Sequence, residues 1–180
     1  IERDKMRVYD ALMAVLRSDT ESVEVRRRAL ESIAVFPDAA VAEWVVWGYR
    51  SDDPLLRQSA LFAMGRSSDS QWLEMVREEL SSDDAAMRFE AVNAARELAA
   101  EEAVPRLAEM VTDSDRQVVM AAVQALGGIG GAKAKKMLRG LAALSQDEAV
   151  REAAEESLQI LQTDEADFLS LDPSRIDGQS

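Results

Sequence analysis

The chain has no cysteine and no histidine among its 180 residues, and only 4 prolines, 8 glycines and 5% aromatics. Without Cys there is no disulfide, no thiol nucleophile and no thiolate metal site. Without His the commonest general base is missing, as is every zinc or iron site that depends on imidazole. Positive charge is scarce too: 21 Lys+Arg against 34 Asp+Glu give a formal net charge of −13. Nucleic-acid binding draws most of its affinity from phosphate neutralisation, so this balance argues against it. No apolar run approaches the roughly 20 residues of a membrane span. The opening IERDKMRVYD is charged from its second residue and shows neither a signal-peptide pattern nor an initiator Met, as expected of a fragment or processed chain from the cytoplasm. A hydrophobic content of 47% is too high for a disordered chain.

What is present is a repeat. The stretches SDDPLLRQSALFAMG (51–65), SSDDAAMRFEAVNAA (81–95), TDSDRQVVMAAVQALG (112–127) and SQDEAVREAAEESLQ (145–159) share one frame, and SVEVRRRALESIA (22–34) fits it. The acids Asp53, Asp84, Asp115 and Asp147 are spaced 31, 31 and 32 residues apart. Four residues after the acid slot come Arg26, Arg57, Arg88 and Arg151, with Val119 in the fourth unit. Three further on stand Ala29, Ala60, Ala91, Ala122 and Ala154, and beyond them Ile33, Met64, Ala95, Leu126 and Leu158.

Each unit reads as two helices. The acid starts the first, as N-cap or first-turn residue at the positive end of the helix dipole. Pro54 sits just inside a start, where its missing N–H is harmless. Apolar residues then recur at three and four. Breaks are expected at Phe36-Pro37-Asp38, at Gly65-Arg66-Ser67-Ser68 and at Gly127-Gly128-Ile129-Gly130-Gly131. The second helices carry core stripes at Val45/Tyr49, Leu73/Val76/Leu80, Val104/Leu107/Val111, and Met137 or Leu138 with Leu141. One hairpin cannot bury its apolar face alone, so neighbours must stack. The small Ala slot is where helices of adjacent units approach, because a larger residue there would force them apart.

The predicted architecture is therefore an all-α, right-handed α-solenoid over residues 1–162. Its units are 22–50, 51–80, 81–111 and 112–144, with partial units at 3–17 and 145–162. An acidic tail, 163–180, leaves the repeat frame; its Phe168, Leu169, Leu171 and Ile176 fit either a fold-back cap on the last unit or a ligand for a neighbour.

The spacing near 31, the D-x-x-x-R-x-x-A frame and the Ala125-Leu126-Gly127-Gly128-Ile129-Gly130 ending resemble HEAT repeats, most nearly the short bacterial type known as PBS-lyase HEAT-like repeats. The resemblance implies a hydrogen-bonded Asp–Arg ladder between stacked units, assigned to Arg26, Asp53/Arg57, Asp84/Arg88 and Asp147/Arg151, with Val119 breaking it. It also implies a concave surface lined by second helices that binds another protein. Some members attach bilin chromophores, so a bilin-lyase-like role is the alternative function. A related di-iron hydroxylase binds its metal through His–Glu pairs, which this chain lacks.

Two constellations stand out. Trp44 and Trp47, three residues apart in the second helix of the first full unit, share slots with Met75, Arg106 and polar residues. Trp44, Trp47, Met75 and Arg106 thus read as an interface patch, since Trp and Arg anchor protein interfaces; the other reading packs both Trp against helix 3–17 as an end cap. The second constellation is Lys133, Lys135, Lys136 and Arg139, in a stretch from Arg116 to Gln146 that contains no acid. It reads either as a docking point for an acidic partner or phosphate, or as a solvated helix face. GGIGGAK matches neither phosphate-loop pattern, and no calcium loop, nucleophile–base pair or paired-carboxylate signature is seen. The expected function is a non-catalytic scaffold for a protein or peptide, with no cofactor, no metal, and no nucleic-acid or membrane partner.

Overall fold

The computed structural model describes residues 2–170, with side chains from 3 to 163. Among the described residues the secondary structure is helical, with no strand. The chain divides into two compact units between Ala103 and Val104, a boundary inside the expected repeat 81–111.

The first unit contains α1 (Glu2–Arg17), α2 (Val23–Ile33), α3 (Ala39–Tyr49), α4 (Pro54–Arg66), α5 (Leu73–Glu79) and α6 (Ala85–Glu97). A short 3-10 turn, Ser70–Trp72, leads into α5. The first helices α2, α4 and α6 pack in succession, and α3 and α5 lie against α4 and α6. The second unit contains α7 (Val104–Glu109), α8 (Arg116–Ile129), α9 (Gly131–Leu144) and α10 (Glu148–Ser170). There α8 packs on α7, α9 and α10. This is the architecture of an all-α solenoid of helical hairpins.

The acid slot does what helix physics asks of it. Asp53 accepts from the amides of Leu55 and Leu56, Asp84 from Ala86, Asp115 from Gln117 and Val118, and Asp147 from Val150. Each satisfies donors that the first helical turn leaves without partners. The Ala slot is core throughout: Ala60, Ala91, Ala122 and Ala154 are fully buried and Ala29 is 4% exposed. The second-helix stripe also holds, with Val45, Val76, Leu80, Val104, Leu107 and Leu138 buried; Met137 points outward.

Two expected breaks fall elsewhere. Gly65 lies within α4, and Gly127 and Gly128 lie within α8. The breaks themselves centre on Ser67–Asp69 and on the single residue Gly130. The reason is packing. A Cβ built on Gly65 would stand 2.8 Å from the Cα of Ala94, and one on Gly127 would stand 2.8 Å from the Cβ of Ser157. These glycines let consecutive first helices touch, rather than stopping either helix. The hairpin turn is instead closed by Ser68, Ala99 and Gly130, with φ of 52°, 49° and 70°. These three positions share one slot of the 31-residue frame.

The partial unit 145–162 also ends later than expected, because α10 continues to Ser170. The apolar tail residues Phe168, Leu169, Leu171 and Ile176, and their cap or ligand role, lie outside the residues whose side chains are described.

Candidate functional site

The site is built on α3. Asp38 caps this helix by accepting from the amide of Ala40 at 2.7 Å. Its sequence, AAVAEWVVWGY, has one charged residue, Glu43. Such a helix is apolar well beyond the single stripe that a solenoid core requires. Val41, Val45 and Gly48 form the buried stripe. Gly48 faces Leu30 and Ala60, where a Cβ would come within 2.6 Å of a Leu30 methyl.

That leaves two apolar flanks. On one, Trp44 and Trp47 meet edge to face, with centroids 5.1 Å apart and planes at 74°. The Arg26 guanidinium lies 4.4 Å above the Trp47 ring. Its Nη2 also donates to the carbonyl of Leu16, near the end of α1, at 3.3 Å. Both indoles are half-buried. Trp47 therefore has a cation over one face, an arrangement that stabilises both partners.

On the other flank, Ala42 and Val46 open into a cleft of about 630 Å³ between α3 and the turn leading into α5. Ala34, Phe36 and Trp72 complete its apolar wall. Asp38, Glu43 and Asp69 are its charged residues, and no Lys or Arg lines it. Asp69 is held in place by the amide and side chain of Gln71. Further along α3, the Tyr49 hydroxyl donates to Glu79 of α5 at 2.7 Å. Burial first, and the Glu79 carboxylate second, push the Tyr49 phenol well above its ordinary pKa, so it remains a donor. This bond ties the two second helices together.

The sequence-derived patch is brought together only in part. Trp44 and Trp47 touch, and Met75 is half-buried on α5. Arg106 belongs to the second unit, where it pairs with Glu109 at 2.9 Å. Lys133, Lys136 and Arg139 are exposed along α9, and Lys135 is partly covered. The cleft residues Phe36, Ala42, Val46 and Asp69 were not singled out from sequence. Their signal was the excess apolarity of α3 outside its core stripe.

Three of the ladder arginines reach back to backbone carbonyls of the loop before their own helix. Arg57 Nη1 donates to the carbonyls of Ser51 at 2.8 Å and Asp52 at 3.1 Å. Arg88 does the same to Ser82 and Asp83, and Arg151 to Ser145. Asp53 turns to the backbone as a cap, so Asp53 and Arg57 hold separate jobs. A side-chain rung between neighbouring repeats does occur at Arg116, which pairs with Asp147. No group of three or more Asp and Glu among the described residues is arranged to hold a metal ion, and no described helix is long and apolar enough to cross a membrane.

With this geometry in view, comparison with known proteins gives a class. The family model described as HEAT repeats matches residues 73–159. Two crystal structures of engineered proteins, both targets of the Northeast Structural Genomics Consortium, share the fold. The first is 24% identical, covers 86% of this chain and 79% of its own, and superposes with a TM-score of 0.59. The second is 24% identical, covers 86% of this chain and 47% of its own, with a TM-score of 0.56. At that identity the likeness is one of fold. No curated protein matches the chain. Residues 73–159 are thus similar to HEAT repeats, and the same 31-residue frame continues on the N-terminal side of the matched segment.

Proposed function

We propose that this protein is a non-catalytic scaffold that binds another protein or peptide through its second helices, with the α3 cleft as the principal site. The observation that carries this reading is the combination of an apolar wall with a wholly acidic charged set, Asp38, Glu43 and Asp69. Such a cleft favours an apolar side chain flanked by Lys or Arg, the apolar contact supplying affinity and the charges orientation. Trp44, Trp47 and Met75 supply further apolar surface on the same helices. The absence of His and Cys fits a binding rather than a catalytic role.

The test is selection of binders from a displayed random peptide library against the full chain. Enriched peptides are expected to carry an apolar residue between basic ones, and to lose binding to Ala42→Trp, which fills the cleft. Trp44→Ala/Trp47→Ala should weaken the same peptides less. Binders indifferent to Ala42→Trp would remove the cleft as the site.

A further inference from the structure

Two surfaces of this chain, one in each unit, have opposite and matching chemistry. The first is the α3 cleft, where Ala42, Val46 and Trp72 form an apolar wall beside Asp38, Glu43 and Asp69. Asp38 accepts from the Ala40 amide, and Asp69 from the amide and carboxamide of Gln71. These donors are neutral and leave the carboxylate charge standing. Among the described residues none of the three acids is in an ion pair.

The second surface is the outer side of α9. Buried Ala134 and Leu138 fix the side of this helix that meets the core. At 3.6 residues per turn, the side turned away carries Lys133, Lys136 and Gly140, with Met137 and Leu144 along one edge and Arg139 along the other. Lys133, Lys136, Met137, Arg139 and Leu144 are all exposed. A Cβ built on Gly140 would meet nothing within 4 Å, so the middle of this face is open. Among the described residues Lys133, Lys136 and Arg139 are in no ion pair, and no acid occurs from Arg116 to Gln146. Met137 is therefore an apolar side chain with Lys133 one turn before it and Lys136 next to it. Met6 of α1 is exposed as well, but Asp10 stands one turn after it.

We propose that the chain associates head to tail: the α9 face of one copy seats Met137 in the α3 cleft of the next, and Lys133 and Lys136 meet the cleft's acids. The inference rests on the scaffold reading's choice of cleft and deepens it by naming the occupant, a second copy of this chain. Methionine suits the role because its flexible thioether adapts to an irregular apolar wall. The contact is heterologous, joining two different surfaces, so every copy keeps one surface of each kind to offer. A net charge of −13 opposes association at long range. At ~0.15 M salt that repulsion is screened beyond about 8 Å, whereas charges paired at contact keep their attraction.

The test is sedimentation velocity of the full chain at physiological ionic strength over rising concentration. The sedimentation coefficient of the parent is expected to rise. Lys133→Glu/Lys136→Glu reverses the charge of the α9 face, Ala42→Trp fills the cleft, and each variant alone is expected to stay monomeric. Mixed in equal amounts, they should form one-to-one dimers and nothing larger, since each retains the surface that the other has lost. Glu43→Gln, an exposed change that leaves the cleft open, should weaken the parent's association severalfold, so the cleft is tested even where Ala42→Trp melts early. The inference is overturned by a parent that stays monomeric throughout, by association that persists in Lys133→Glu/Lys136→Glu, by indifference to both cleft changes, or by a mixture of folded variants that yields no dimer. The scaffold reading is judged apart, by offering the selected library peptides to Lys133→Glu/Lys136→Glu, whose cleft is intact. Peptides that bind there while the parent never associates would leave that reading standing and remove this one.

Discussion

Repeats 51–80 and 112–144 follow the same frame but are held by different means. In the first, Arg57 ties backbone to backbone: a half-buried guanidinium clasps the loop that delivers α4. In the second, Val119 occupies that slot, and an exposed side-chain pair, Arg116–Asp147, connects the repeat to the one that follows. The hairpin turn of the first is closed by Ser68 at φ 52°, that of the second by Gly130 at φ 70° and ψ −151°. Beyond the Asp caps and the buried Ala slot, the two repeats share the helix contact, Gly65 against Ala94 and Gly127 against Ser157. The close approach of first helices is therefore what a repeat of this length must keep. The tie and the turn are interchangeable parts.

That shared contact should give the largest effects. Gly65→Ala and Gly127→Ala each place a Cβ where a neighbouring helix already stands, and overpacking of this kind costs about 1–3 kcal/mol. The gain of about 1 kcal/mol in helix propensity offsets part of it. The two sites then separate. The obstacle at Gly127 is the Ser157 side chain, so Ser157→Gly is expected to restore most of the loss. The obstacle at Gly65 is the Cα of Ala94, so Ala94→Gly is expected to restore little. Chemical denaturation of the single and double variants measures this, and equal rescue at both sites would show that the two obstacles do not differ as described.

The two ties should differ in size and in response to conditions. Arg57→Met keeps the aliphatic stem and loses the carbonyl bonds, a loss of about 1–2 kcal/mol for a charge-assisted pair of this burial. Arg116→Met should cost less, since exposed ion pairs contribute little and are screened by salt. It also has a pH signature. The Arg116 contact, with the Val150 amide second, lowers Asp147 to about 2. A carboxyl whose folded pKa is depressed contributes stability above its unfolded pKa and loses it as pH falls through the folded one. The difference between parent and Arg116→Met is therefore expected to be constant above about pH 5 and to vanish as pH falls toward 2. Denaturation midpoints from pH 2 to 7, at low and high salt, check it. A difference that persists at pH 2 or is indifferent to salt would mean that Arg116 acts through packing.

What the sequence disclosed follows the reach of each interaction. The caps at Asp53, Asp84, Asp115 and Asp147 are bonds within a few residues, and the period alone places them. The Ala slot was legible because each repeat samples the same neighbour. Gly65 and Gly127 were misread because a glycine near a helix end is by local rules a breaker; only the position of Ala94 or Ser157, some 30 residues on, shows that it is a contact. Trp44 and Trp47 lie half-buried beside the core stripe of α3, and the Arg26 guanidinium over Trp47 comes from the preceding helix and leaves no local pattern. The α3 cleft was hidden for a related reason: it is set by the gap between α3 and the Ser70–Trp72 turn, and no periodicity encodes a gap.

The smallest effect concerns the turn. Ser68 and Ala99 hold positive φ without being glycine, whereas Gly130 occupies the same slot with the residue that this backbone favours. A side chain in the left-handed region costs roughly 1–2 kcal/mol, and the greater freedom of glycine in the unfolded chain takes back roughly 0.5–1. Ala99→Gly is thus expected to stabilise by about 0.5–1 kcal/mol, the net of those two amounts. Ser68→Gly should gain less, because a serine side chain can bond locally in turns and that benefit would be lost. Gly130→Ala is the converse, and should destabilise more than either change stabilises: its ψ of −151° belongs to a region that is essentially glycine-only. If Ala99→Gly lowered the melting temperature, the left-handed turn would be held by its surroundings more firmly than its own strain opposes it, and the turn would cease to be an interchangeable part.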